Sequence, residues 1–252
     1  MRPPLPAWAA RPGQGELVVA VDTPTLDEAL RLRDRLADAA SFFKIGKELF
    51  TAAGPGAVAA FRDVGRVFLD LKFHDIPATV AGAVRAARRH GASIVDVHAS
   101  GGGRMIAAAA RAARPDAAES GDRSLVLAVT VLTHLDQADA AEVFPGAGIV
   151  EQVRRLTALA WKAGADGVVA SASEARSLRE RFGNDLVILT PGIRPGWASE
   201  AHDQRRIATP GEAARRGANY LVVGRAITRS RDPRAAALRI REEAAAGGLG
   251  AR

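Results

Sequence analysis

The chain has no cysteine, so a disulfide framework, a thiolate metal site and a thiol nucleophile are all excluded, and a reducing cytoplasm is the expected setting. Aromatic residues are few, with three Trp and one Tyr, and they are not interleaved with the basic residues. That removes the stacking platform on which single-stranded nucleic acids are held. No stretch is long and apolar enough to span a bilayer. Residues 1–15 carry Arg2 and Arg11 among prolines and lack the apolar run of a signal peptide. No membrane association is therefore expected. The formal charge of +7 raises the question of phosphate-backbone binding, but the arginines are spread through Ala-rich helical stretches such as Val84 to Arg89, Arg104 to Arg114 and Arg231 to Arg241. A solvated helix face accounts for them, and no nucleic-acid partner is expected. What the excess charge can do is speed the capture of a small, multiply charged substrate.

With 252 residues, of which 48% are apolar, the chain can bury one substantial core and has the size of a single α/β barrel. Short β-branched runs recur at Leu17 to Val21, Phe42 to Ile45, Val67 to Leu71, Ile94 to Val97, Leu125 to Val129, Gly167 to Ala170, Leu186 to Leu189 and Tyr220 to Val223. Helical patterns lie between them. Thr25 with Glu28, and Thr209 with Glu212, are spaced as capping boxes, and Gly91, Gly164 and Gly217 stand where helices should stop. Strand-helix alternation fits either a closed (β/α)8 barrel or an open doubly wound sheet. The barrel is favoured because nearly every strand ends in a polar residue: Asp22, Lys44, Asp70 with Lys72, Asp96 with His98, Thr130, Ser171, Thr190 and Arg225. Only closure brings such ends to one mouth. The expected organisation is a flexible arm over 1–15, a catalytic barrel over 16–245 and a flexible tail over 246–252.

Asp70 and Lys72 are two apart on the third strand and share its inward face, with Asp75 just beyond. A lysine flanked by two carboxylates is held protonated and fixed in direction, which makes it a positioned proton donor. Lysine is scarce, occurring only at 44, 47, 72 and 162, and two of the four fall at strand ends. Unlike arginine, lysine can hand over a proton when its surroundings are tuned. Taken alone, the pair reads first as a structural ion pair, the commoner role for Asp and Lys two apart on a strand. The seventh loop, with Pro191, Gly192, Arg194 and onward to Gln204, and the end of the eighth strand at Gly224 and Arg225, suit a phosphate: glycine admits close backbone approach and guanidinium grips in two-pronged fashion. Asp22 and Lys44 face each other across the same opening and can bond sugar hydroxyls, while Thr133 can offer its hydroxyl to a polar ring. His98 and Asp96 share a strand face and are read as packed barrel residues; His74, His134 and His202 are given no role. No group of His and carboxylates has metal-site spacing, so no metal is expected.

The run Phe68-Leu69-Asp70-Leu71-Lys72-Phe73-His74-Asp75-Ile76-Pro77-Ala78-Thr79 resembles the signature of the bacterial orotidine 5′-monophosphate decarboxylase family. Five further blocks resemble the same family in order: Val97 to Gly102, Ala128 to Thr133, Thr190 to Pro195, Asp203 to Arg206 and Val223 to Arg225. The resemblance implies a (β/α)8 barrel that converts orotidine 5′-monophosphate to UMP and carbon dioxide with no metal or organic cofactor. It implies a charged network of Asp70, Lys72 and Asp75, with Asp75 and Thr79 contributed by the partner subunit of a homodimer and Lys72 protonating C6. It further implies that Asp22 and Lys44 hold the ribose, Thr133 the pyrimidine, and Arg194, Gln204, Gly224 and Arg225 the phosphate end, with Ile76 and Pro191 also touching substrate. One departure is visible, since many members have asparagine where this chain has Ala78.

Two other readings compete. A related barrel acting on sugar phosphates with magnesium shares the Asp-x-Lys-x-x-Asp core, but the Asp-Ile-Pro-x-Thr continuation and the Asp203 to Arg206 stretch look nucleotide-specific. A basic nucleic-acid-binding protein on an inactive barrel would need clustered charge, which this chain lacks.

Overall fold

The computed structural model describes residues 3–36, 38–115, 122–198 and 207–249. Eight strands follow one another in the chain: β1 (Glu16–Val21), β2 (Phe42–Ile45), β3 (Arg66–Phe73), β4 (Ala92–His98), β5 (Leu125–Val129), β6 (Gly167–Val169), β7 (Val187–Thr190) and β8 (Tyr220–Val223). Each pairs in parallel with the next, and β8 pairs with β1, closing the barrel. The closed (β/α)8 architecture expected from the polar strand ends is the one observed.

Helices cover every outer face. α1 (Leu26–Leu36) follows β1, α2 (Lys47–Ala53) and α3 (Gly56–Arg62) follow β2, and α4 (Pro77–Arg89) follows β3. α5 (Gly102–Ala112) comes after β4 through a 3-10 turn, α6 (Gln137–Val143) and α7 (Ile149–Ala163) after β5, and α8 (Ala172–Phe182) after β6. α9 (Pro210–Arg215) follows β7, and α10 (Arg225–Thr228) and α11 (Pro233–Leu249) complete the chain after β8. The caps lie where the spacing places them. Thr25 Oγ1 accepts from Glu28 N at 3.3 Å, and Thr209 and Glu212 exchange bonds of 3.2 and 3.0 Å, each cap contributing about 1 kcal/mol.

The pleat sorts the core into two bodies. Along β1, Leu17, Val19 and Val21 pack outward against helices, while Val18 and Ala20 point into the barrel with Phe42, Phe68, Ile94, Leu127, Leu189 and Val222. Apolar burial on both faces is what parallel barrel strands require. Continued toward the strand ends, the inward phase reaches Lys44 after Phe42, Asp70 after Phe68 and Asp96 after Ile94, so an apolar interior gives way to charge at the mouth.

Not every polar strand end belongs to that mouth chemistry. Ser171 caps α8, forming a capping box with Glu174, and Thr130 Oγ1 donates to Val169 O at 3.0 Å.

The segment expected as a flexible arm is instead docked. Leu5, Trp8 and Ala9 pack against the barrel interior from its strand-start end. Ala10 N donates to Tyr220 Oη at 2.9 Å, and Asn219 Nδ2 donates to Ala10 O at 2.7 Å. The Arg66 guanidinium lies 4.4 Å over the Trp8 ring. Burial pushes the Tyr220 hydroxyl up to about 12, keeping it a neutral partner for that backbone. Trp8 and its apolar neighbours, in an arm that carries arginines among prolines, cover the strand-start end of the packed barrel interior. At the other end the expected tail begins too early, because α11 runs through residues 246–249.

Candidate active site

At the strand C-terminal ends the barrel opens into a cavity of about 630 Å³. Its lining brings together Asp22, Lys44, Asp70, Lys72, Thr133, Pro191, Arg194, Gly224 and Arg225, all expected from the sequence. Four adjacent strands lay a row of alternating charge along its floor. Lys44 Nζ is 2.9 Å from Asp22 Oδ1 and 3.4 Å from Asp70 Oδ2. Lys72 Nζ bonds the other Asp70 oxygen and lies 3.8 Å from Asp96 Oδ2. Gly46 keeps this row possible: a Cβ there would stand 2.6 Å from Asp22 Oδ1 and 2.9 Å from Lys44 Nζ.

Burial and neighbours set the protonation states. Burial works against charge on Asp70, but Lys44 and Lys72 outweigh it and hold the carboxyl down at about 2. Burial likewise opposes the Lys44 ammonium, yet Asp70 and Asp22 raise it above the usual lysine value. Asp96 goes the opposite way: burial, then the charge of Asp70, push it well above the carboxylate range. The floor thus holds the Asp70 carboxyl in its ionised form, while burial and Asp70 oppose charge on Asp96. His98, buried and close to His74 and Lys72, is pushed down to about 4 and is neutral; its ring centre is 5.4 Å from that of His74.

Lys72 is also unusual in its backbone. Its φ of 52° makes it the one non-glycine residue with positive φ among the described residues, a conformation costing roughly 1–3 kcal/mol of the kind that collects at functional sites.

Asp75 does not flank Lys72 within one chain, contrary to the spacing argument. Among the described residues the ion pairs of Lys72 are with Asp70 and Asp96, whereas Asp75 Oδ1 accepts from Ile76 N at 2.6 Å. The chain leaves β3 after Phe73 and turns into α4, so the period of two stops applying before residue 75. His74 through Thr79 are all exposed, and Asp75, Ile76 and Thr79 lie outside the cavity lining. Gln204 and His202 fall outside the described residues. The near half of the seventh loop is pinned at its base by a bridge between Ile193 and Ala208, with Arg194 N donating to Ala208 O at 2.9 Å.

Residues 15–240 match the profile described as the orotidine 5′-phosphate decarboxylase / HUMPS family. The chain belongs to that family. Among relatives in this family, the orotidine 5′-phosphate decarboxylase of Moorella thermoacetica is 52% identical over 231 residues, covering 90% of this chain and 91% of its own. That of Chromohalobacter salexigens is 50% identical, covering 91% and 95%. The crystal structure of orotidine 5′-phosphate decarboxylase from Lactobacillus acidophilus superposes with a TM-score of 0.80 at 35% identity, covering 91% of this chain and 98% of that one.

Sequence reasoning set Asp96 aside as a packed residue, although it lies on the cavity floor beside the lysine. Its inward phase after Ile94 was the available signal. Gly46 and Trp197, the latter in the cavity wall with the Arg239 guanidinium 4.8 Å over its ring, carried no such signal.

Proposed function

We propose that this chain decarboxylates orotidine 5′-monophosphate to UMP and carbon dioxide, the last step of de novo pyrimidine nucleotide synthesis, with Lys72 delivering the proton to C6. The observation that carries the reading is the charge row itself: an ammonium, braced by a carboxylate held ionised, on the floor of a cavity with Arg194 and Arg225 in its wall.

Breaking the bond from C6 to the carboxylate leaves an electron pair in the ring plane, where the pyrimidine π-system absorbs it poorly. Lys72 supplies the facing positive charge in a site already organised before reaction, and its ammonium proton closes the valence at C6. The neutral amine then takes a proton from solvent. Asp70 beside the substrate carboxylate adds repulsion that vanishes as carbon dioxide leaves; like charges ~4 Å apart at an effective dielectric of 20 interact by ~4 kcal/mol. Asp22 and Lys44 hold the ribose, Thr133 the pyrimidine, and Arg194, Gly224 and Arg225, with Gln204, the phosphate end. Phosphate binding far from C6 sustains the strained arrangement.

The enzyme works as a homodimer in the cytoplasm, without metal or organic cofactor. The exposed run from His74 to Thr79, with Ile76 66% exposed at the start of α4, supports delivery of Asp75, Ile76 and Thr79 across a subunit interface. The test is loss of orotidine 5′-monophosphate in the presence of a strong chelator. Full turnover is expected, and a strict requirement for added magnesium would favour the sugar-phosphate barrel instead.

A further inference from the structure

β3 and β4 pair at Leu69 with Val95 and again at Phe73 with Val97, so that Asp70, Leu71 and Lys72 stand opposite Asp96 alone. Such a bulge re-aims side chains and leaves backbone groups without a ladder partner. One of these groups is the N–H of Lys72, in the residue whose φ is 52°. It donates to Asp96 Oδ1 at 2.8 Å. The Asp96 side chain is 1% exposed, and its second oxygen, Oδ2, makes no hydrogen bond among the described residues while lying 3.8 Å from Lys72 Nζ.

We infer that Asp96 is a positioning residue for the decarboxylation, its carboxyl clamping the β3 bulge so that the Lys72 ammonium meets the reacting carbon from beside Asp70. The inference rests on the proposed role of Lys72. Three features of the structure converge on it. The bulge sets Asp70, Leu71 and Lys72 opposite the single residue Asp96. The left-handed backbone at Lys72 needs an acceptor that the sheet cannot supply. The acceptor present is a buried acid on the cavity floor, on the adjacent strand, rather than a backbone carbonyl. Asparagine is the conservative replacement, because it retains the Oδ1 acceptor for the Lys72 N–H and keeps the size of the side chain.

The test compares steady-state constants for the full chain and two variants. Asp96→Ala is expected to lower kcat on the order of 100-fold, the scale of a misplacement of about 1 Å, while KM and the affinity for UMP change by less than about threefold, since the phosphate and ribose contacts stay in place. Asp96→Asn is expected to recover kcat to within about tenfold of the parent. A parent-like kcat in Asp96→Ala overturns the inference. So does Asp96→Asn losing as much kcat as Asp96→Ala, or a loss of UMP affinity in step with kcat, either of which marks general damage to the site. Lys72→Ala run alongside separates the two levels. If it is inactive while Asp96→Ala is fully active, only the clamp fails, whereas an active Lys72→Ala removes the reading on which the clamp rests.

Discussion

Replacing Lys72 with alanine removes the one ammonium that both contacts Asp70 and sits 3.8 Å from Asp96, and its effect can be worked through in two parts. A cation ~4 Å from the developing electron pair, at an effective dielectric of about 20, lowers the barrier by ~4 kcal/mol, or about three decades of rate. Loss of the positioned proton donor removes a further ~10²–10⁴. Together, kcat should fall by at least about 10⁵-fold. Binding of UMP should persist, because Asp22, Lys44, Arg194 and Arg225 are untouched and Asp70 keeps Lys44 at 3.4 Å. Lys72→Arg separates the parts, since guanidinium keeps the charge but is too weak an acid to give up a proton; it should fall between the parent and Lys72→Ala. The assay is single-turnover loss of orotidine 5′-monophosphate, with UMP affinity measured by calorimetry on the same preparations. Turnover in Lys72→Ala within about 100-fold of the parent, with UMP still bound, refutes the assignment of Lys72 as proton donor.

Gly46→Ala should weaken UMP binding by at least about tenfold, because its Cβ would stand 2.6 Å from Asp22 Oδ1 and 2.9 Å from Lys44 Nζ; unchanged affinity on titration would show that the pair can shift freely. The Asp70 carboxyl falls from an ordinary 3.8 to about 2 in the folded chain, so it adds stability that is present above about pH 4 and is lost as pH falls toward 2, worth about 2 kcal/mol. Urea titrations should therefore show a steeper acid loss in the parent than in Asp70→Asn, and parallel curves would contradict the lysine bracing. Asp75→Asn chains mixed with inactive Lys72→Ala chains should regain part of the parent activity, since one site of the mixed dimer has both residues intact; no recovery after subunit exchange would count against a shared site.

The fold was legible because parallel barrel strands are buried on both faces and announce themselves as short apolar runs; β2, β5 and β8 begin and end where the runs do. Closure was legible from the mouth, because Lys44, Asp70 and Asp96 each extend an inward phase set by Phe42, Phe68 and Ile94. What the sequence hid depends on contacts between distant positions. The docking of residues 3–15 needs Asn219 and Tyr220, some 209 and 210 positions away, and nothing local marks Trp8 as a plug. The role of Asp96 depends on a register shift between β3 and β4, which alternation along either strand alone cannot reveal. Asp75 stands just past the strand end, as its spacing says, but the backbone turns there toward α4 and carries the carboxylate away from Lys72 of the same chain.

Trp8 and Ala10 lie against the packed barrel interior at the strand starts, with Tyr220 bonded to the Ala10 backbone, so the cavity at the strand ends rests on a closed floor. On the proposed reaction, what enters and what leaves then pass the same mouth, at the strand ends.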